Sequence, residues 1–248
     1  MTRAQQEPDQ FGVALWLMHL PAAEAAAWPT HSCLSAVESV RAQAFPDPAA
    51  RGLYVASVVF RRSVLGAVLQ LLPARVQFEL PAGGNKPQLA RHQNPTGWQF
   101  NLSHSGEYAV LALVQGRAVG VDLERMRGAV NWRGVAQTAF SASERAALFS
   151  ALPALRLDTF YRLWTAKEAY LKACGVGLGV PLEAVSLTIS REGIQVVQPI
   201  PGDVQQWQGR AVPLAATLAA SYHAAVIVQA ASNERLGLSL HSWEPTNC

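Results

Sequence analysis

Two strings recur in the two halves of this chain and constrain its fold more than composition does. Gly12-Val13-Ala14-Leu15 is echoed by Gly120-Val121-Asp122-Leu123, and Tyr108-Ala109-Val110-Leu111-Ala112-Leu113-Val114 by Tyr222-His223-Ala224-Ala225-Val226-Ile227-Val228. The echo returns after about 110 residues, far too long a period for a solenoid. In each half the longest helical pattern, 49–72 and then 157–173, falls between the two echoed strings. The economical expectation is an α+β chain of two similar α/β halves packed side by side, divided as 1–116 and 117–248.

Other elements fill in around these. Apolar runs at 11–20, 98–102, 119–123, 185–190 and 193–197 predict strands, while 22–44 has helix-like composition broken by Pro29. Pro46-Asp47-Pro48 is a breaker with Asp47 as N-cap of the first long helix, and Pro73 closes that helix. Shorter helices are expected over 131–140 and 143–152. Gly83-Gly84-Asn85-Lys86-Pro87 is the sharpest turn signal, and Ser103-His104-Ser105-Gly106 is expected to be a loop between two strands. Gly175, Gly177, Gly179 and Pro181 end the second long helix. These glycines follow a helix and do not open one, so they form no nucleotide loop.

Composition excludes several function classes. Of 248 residues, 50% are hydrophobic and 15% charged, which argues for a folded soluble domain and against disorder. A net charge of +3 is too small for a dedicated nucleic-acid binder but suits acidic or phosphorylated ligands. Cys33, Cys174 and Cys248 are odd in number and widely spaced, so neither a disulfide framework nor a zinc site is expected. The first ten residues contain no apolar run of signal-peptide length. The apolar stretch 211–231 is interrupted by Pro213, Ser221, Tyr222, His223 and Gln229, so a membrane span is not expected there. A reducing, cytoplasmic setting fits these features.

The chemistry-bearing residues lie in two acidic segments. In Val119-Gly120-Val121-Asp122-Leu123-Glu124 the two carboxylates stand at i and i+2 of an apolar run, so on a strand both face one side. Alone, such a pair is an ordinary strand end in water. At the edge of a buried strand, however, two like charges raise each other's pKa unless a cation sits between them. Oxygen-only ligation by few protein groups suits Mg²⁺ or Mn²⁺ better than Zn²⁺.

In Trp164-Thr165-Ala166-Lys167-Glu168-Ala169-Tyr170-Leu171-Lys172, Glu168 lies one helical turn from both Trp164 and Lys172, in line with an apolar stripe of Phe160, Leu163, Trp164 and Leu171. A carboxylate aimed inward needs a partner, and a metal would serve. Lys172 is then placed to meet the anion that the metal meets, as phosphoryl chemistry requires. Lys167 and Lys172 taken singly are expected to be solvated cations.

Ser103, His104 and turn amides could cradle an anion. No acidic partner makes them a hydrolase triad, and Gly-x-Ser-x-Gly is absent. Arg51, Arg61 and Arg62 ride on the first long helix, where solvation is the ordinary role and phosphate contact the functional one.

In this order and spacing the segments resemble the Sfp-type 4′-phosphopantetheinyl transferases. The resemblance rests on Arg51 with Arg62, Asn85-Lys86-Pro87, Phe100-Asn101-Leu102-Ser103-His104-Ser105, Gly120-Val121-Asp122-Leu123-Glu124, Phe140-Ser141, and Trp164 through Lys172 followed by Gly177-Leu178. It covers most of the chain. It implies two α/β halves related by a pseudo-two-fold axis, with coenzyme A in the cleft between them. It further implies transfer of 4′-phosphopantetheine to a serine of an acyl, peptidyl or polyketide carrier protein.

By resemblance, Asp122, Glu124 and Glu168 bind Mg²⁺ with the coenzyme pyrophosphate. Glu168, or a water it holds, takes the serine proton, and Lys172 stabilises the phosphate under attack. Ser103 and His104 contact coenzyme phosphates, Arg51 meets the 3′-phosphate, and Lys86 with Pro87 lines the adenine site. Two departures stand out: Asn85 replaces the usual Gly before Lys-Pro, and 33–50 holds Arg41 as its only basic residue where relatives have more. A monomer is expected, because both halves of the site are on one chain. The rival readings are another Mg²⁺-dependent nucleotidyl or phosphoryl enzyme, and a non-catalytic carrier-binding module.

Overall fold

Nearly continuous apolar strands have a simple cause in this protein: both faces of its central strands are covered. The structure, a computed structural model, describes residues 10–21, 24–25, 33–81, 86–177 and 179–244. Strand β1 (Gln10–His19) sends Val13 and Leu15 into one core and Met18 into another, and β5 (Tyr108–Gln115) divides Val110, Ala112 and Val114 from Ala109, Leu111 and Leu113 in the same way. The first core is shared with β6 (Val119–Arg125) and β10 (Tyr222–Gln229), through Val119, Val121, Leu123, Ala224, Val226 and Val228. It therefore lies between two sheets, packed through alternate residues of each strand.

One sheet has the order β11-β1-β5-β4, with β4 at Trp98–Ser105 and β11 at Arg235–Trp243. The other has the order β6-β10-β9-β8-β7, with β7 at Ser186–Ile189, β8 at Ile194–Gln198 and β9 at Trp207–Ala211. Among the described residues, all pairings are antiparallel except β1 with β11, which runs parallel from Gln10 opposite Arg235 to Met18 opposite Trp243. A small hairpin of β2 (Phe78–Glu79) and β3 (Gln88–Leu89) stands apart. The last described strand thus belongs by pairing to the sheet that the first described strand begins.

Each sheet carries a long helix on its outer face. Helix Pro48–Leu69 is capped by Asp47, whose carboxylate accepts from the Ala50 N–H at 2.9 Å, and it stops where Gln70 turns left-handed at φ 55°. It lays Ala56, Phe60 and Val64 on the first sheet. By length and composition this helix could cross a membrane. Its apolar stripe is spent in the core, and its arginines Arg61 and Arg62 pair with Glu38. Helix Arg156–Cys174 lays Ala166, Ala169, Tyr170 and Ala173 on the second sheet and ends at Gly175, φ 72°. It sits so close to β6 that a Cβ on Gly120 would fall 2.0 Å from the Ala169 carbonyl oxygen. Only glycine fits there.

The helices at Trp132–Ala139 and Ala142–Ser150 fall where expected, with Asn131 and Ser141 as their caps. Three expectations need correction. Ser103, His104 and Ser105 are not a loop, because β4 runs through them and the turn begins at Gly106. Of the stretch 22–44, the helix that is described covers Ala36–Gln43. Strands β9 and β11 and the β2–β3 hairpin were not anticipated. The turn at 83–85 and the Leu178 position lie outside the described residues.

Candidate functional site

The edge strand β6 presents Asp122 and Glu124 on the face that meets helix Arg156–Cys174, since Val121 and Leu123 take the opposite face into the inter-sheet core. Lys172, near the end of that helix, donates to Asp122 Oδ1 at 2.5 Å and to Ser103 Oγ at 3.0 Å. Ser103 Oγ in turn donates to Asp122 Oδ1 at 2.9 Å, and Ser105 Oγ donates to Glu124 Oε2 at 2.8 Å. Asp122 is 3% exposed. Its second oxygen, Oδ2, is buried without a hydrogen-bond partner, and so is Glu168 Oε1.

Electrostatics tie the three carboxylates together. Burial pushes Asp122 above its usual value even though Lys172 and Ser103 pull the other way. Burial likewise raises Glu124, with the Asp122 charge adding to it and the Ser105 hydroxyl opposing. Glu168 is raised by burial first, then by Asp122, with Glu124 adding a smaller push against Lys172. Two orphaned carboxylate oxygens in a mutually repelling acidic group are the donor chemistry that a hard divalent cation satisfies. Among the described residues, no three His, Cys, Asp or Glu side chains are gathered as a ready-made metal cluster. Lys172 sits on Asp122 instead.

The first half supplies a pocket of ≈ 900 Å³ whose lining includes Glu38, Arg61, Phe78, Pro87, Leu102 and His104. His104 therefore joins the pocket to the acidic cluster: its ring is lowered in pKa by desolvation and then by the nearby Lys172 charge. Arg61 covers the Phe78 ring at 4.4 Å and leaves its Nε buried and unpaired. Neighbouring Arg62, 3% exposed, spends its fork on Glu38 and on the Pro73 and Val76 carbonyls. Its role is to hold helix Ala36–Gln43 and the segment after the long helix in place.

Similarity to known proteins gives the family of the chain. A family model described as the 4′-phosphopantetheinyl transferase superfamily matches residues 118–227, which include Asp122, Glu124, Glu168 and Lys172. The 4′-phosphopantetheinyl transferase HetI of Nostoc is 34% identical over 178 residues, 72% of this chain and 74% of that protein. The chain belongs to the 4′-phosphopantetheinyl transferase superfamily. A putative 4′-phosphopantetheinyl transferase of Synechocystis is 33% identical over 74% of this chain and 73% of its own length. A solved ACPS–CoA complex from Chronobacterium ammoniagenes is a more distant likeness, 19% identical with a TM-score of 0.34, covering 46% of this chain and 97% of that one.

Within this phosphopantetheinyl transferase, the expected residues fall into separate groups. Asp122, Ser103 and Lys172 are in direct contact, and Glu124 and Glu168 are coupled to them through charge. Pro87 and His104 share the first-half pocket. Arg51 is turned to Phe45, its guanidinium donating to the carbonyl oxygen there at 3.0 and 3.2 Å. Lys86 donates to the Val119 carbonyl at 2.5 Å, at the start of β6, where burial pushes its ammonium down to about 8.

Lys167, expected to be solvated, is instead 1% exposed. It is ion-paired with Glu144 and donates to the Val185 carbonyl at 2.7 Å. Glu144 was missed at the sequence level, although Ser141-x-x-Glu144 spells a capping box.

Proposed function

We propose that this enzyme transfers 4′-phosphopantetheine from coenzyme A to a serine hydroxyl of an apo acyl, peptidyl or polyketide carrier protein, releasing adenosine 3′,5′-bisphosphate. The observation that carries the reading is the pair of orphaned buried oxygens, Asp122 Oδ2 and Glu168 Oε1, beside the ammonium of Lys172. In this reading Asp122, Glu124 and Glu168 hold Mg²⁺ or Mn²⁺, which when bound neutralises charge on the coenzyme phosphates. Lys172, already at the cluster, faces the phosphate under attack and stabilises the charge that builds on its oxygens. Glu168, whose pKa burial and neighbouring carboxylates raise, accepts the serine proton directly or through a water.

In the same reading Lys86 and Pro87 line the adenine site, Ser103 and His104 contact the coenzyme phosphates and Arg51 meets the 3′-phosphate; Pro87 and His104 lie on the first-half pocket. The two helix-backed sheets, 1–116 and 117–248 apart from the returning β11, are the halves related by a pseudo-two-fold axis, and the cleft runs between them. We place the enzyme in the cytoplasm as a monomer.

Incubation with coenzyme A, Mg²⁺ and a panel of apo carrier proteins, read by mass spectrometry, tests the proposal. The expected result is a phosphopantetheine mass increment on a carrier, lost on chelation. No increment on any carrier overturns it. Thermal stabilisation by ATP and not by coenzyme A would favour the rival nucleotide chemistry.

A further inference from the structure

β4 and β6 are the facing edges of the two sheets, yet they form no backbone ladder with each other. An edge strand leaves alternate N–H groups unpaired, and buried ones must find acceptors. Here the acceptors are side chains. Val121 N–H donates to Asn101 Oδ1 at 2.9 Å, Leu123 N–H to Ser103 Oγ at 3.2 Å, and Arg125 N–H to Ser105 Oγ at 3.1 Å. The offset is twenty residues each time, as for two strands running in parallel. Asn-x-Ser-x-Ser places three oxygen-bearing side chains on one face of β4 at the spacing of every second N–H of β6.

The two hydroxyls do more than accept. A serine hydroxyl has one proton to give and two lone pairs. Ser103 gives its proton to Asp122 and takes bonds from Leu123 N–H and Lys172 Nζ, so all its capacity is used. Ser105 gives its proton to Glu124 and takes one bond from Arg125 N–H. Each N–H fixes the hydroxyl's lone pair and so directs its proton to the carboxylate on the preceding residue. Ser103 reaches a coenzyme phosphate only by surrendering one of these partners.

We propose that Asn101, Ser103 and Ser105 form a side-chain seam that joins the two sheets and aims the acidic cluster, with Ser105 the positioning residue for Glu124. The inference rests on the metal assignment above and adds residues to it. Ser105 is the informative member. Arg125 is exposed, so water can replace the hydroxyl at its N–H, and losing the hydroxyl is read mainly at Glu124. Ser103 is buried, and its removal mixes folding with positioning.

The test uses the 248-residue chain without coenzyme. Mn²⁺ binding is measured by calorimetry, alongside the unfolding midpoint without metal, for wild type, Ser105→Ala, Ser105→Thr and Glu124→Ala. Removing a hydrogen-bond partner of a ligating residue weakens metal binding by about 10–100-fold. Ser105→Ala is expected to show a loss of that size with the metal-free midpoint little changed, and Ser105→Thr, which restores the hydroxyl, to recover most of it. If Glu124→Ala weakens Mn²⁺ but Ser105→Ala does not, the seam's positioning role is overturned while the metal assignment stands. If Glu124→Ala leaves Mn²⁺ binding unchanged, both fall. A Ser105→Ala loss that Ser105→Thr fails to restore also overturns the role assigned to the hydroxyl.

Discussion

At the scale of single residues, Glu168 shows a conflict between stability and activity. Its Oε1 is buried without a partner, and Asp122 and Glu124 make its charge costlier still. On the proposed function, a metal-free fold pays that penalty for a group that would serve only when a cation and a substrate are present. Glu168→Gln removes the charge at nearly constant shape. It is expected to raise the stability of the metal-free protein at neutral pH, because the amide carries no charge for burial and Asp122 to oppose. The same change should lower phosphopantetheine transfer by about 10²–10⁴-fold, the usual contribution of a general base. Thermal melts in chelator and carrier-loading rates measure the two effects, and a variant that is both less stable and fully active would contradict this account.

At the scale of elements, the site depends on how firmly helix Arg156–Cys174 is seated. Gly120 lets it approach β6, and the buried pair Lys167–Glu144 ties it to the Ala142–Ser150 helix and to β7, where Glu144 accepts from the Leu187 N–H at 2.9 Å. Lys167 adjoins Glu168, so this tie also holds the helical turn that carries Glu168. Glu144→Ala would leave a buried ammonium with the Val185 carbonyl but no counter-charge, and denaturant unfolding should show a loss of about 3–5 kcal/mol. Glu144→Leu combined with Lys167→Met should recover much of that loss. No difference between the single and double variants would mean that the pair is not coupled.

The same elements show what a sequence can reveal. Asp47, Asn131 and Ser141 announce helix starts because a cap is chemistry local to a few residues. Ser103-His104-Ser105 looks like a turn because its hydroxyls find their partners on β6 and on Lys172, a pairing between distant segments that local reading does not show. Strand β11 carried a legible alternation in Leu236, Leu238 and Leu240, but its parallel partner lies at the other end of the chain. The approach of Glu168 to Asp122 is set by how helix Arg156–Cys174 packs on β6, whereas the Asp122–Glu124 pair was legible because a strand fixes its shared face by itself. The seam that aims it was not, because long-range register is a property of the assembled sheets.

At the scale of the whole molecule, the echoed halves are not independent units. The inter-sheet core takes Val13 and Leu15 from one sheet and Val121 and Val226 from the other. The edge of β1 is covered by β11, and Trp243 at its end lies 5.2 Å from the Phe60 ring of the first long helix. A fragment ending at residue 116 would therefore expose an apolar sheet face, an unpaired strand edge and the polar row Asn101, Ser103 and Ser105 at once. Such a surface favours aggregation over folding. Residues 1–116 expressed alone are expected to give collapsed amide dispersion in NMR spectra and rapid hydrogen exchange, whereas co-expression with 117–248 restores a folded, metal-responsive complex. A well-dispersed, protected 1–116 fragment would show that each half folds by its own core, and that the returning strand and the seam only align two finished domains.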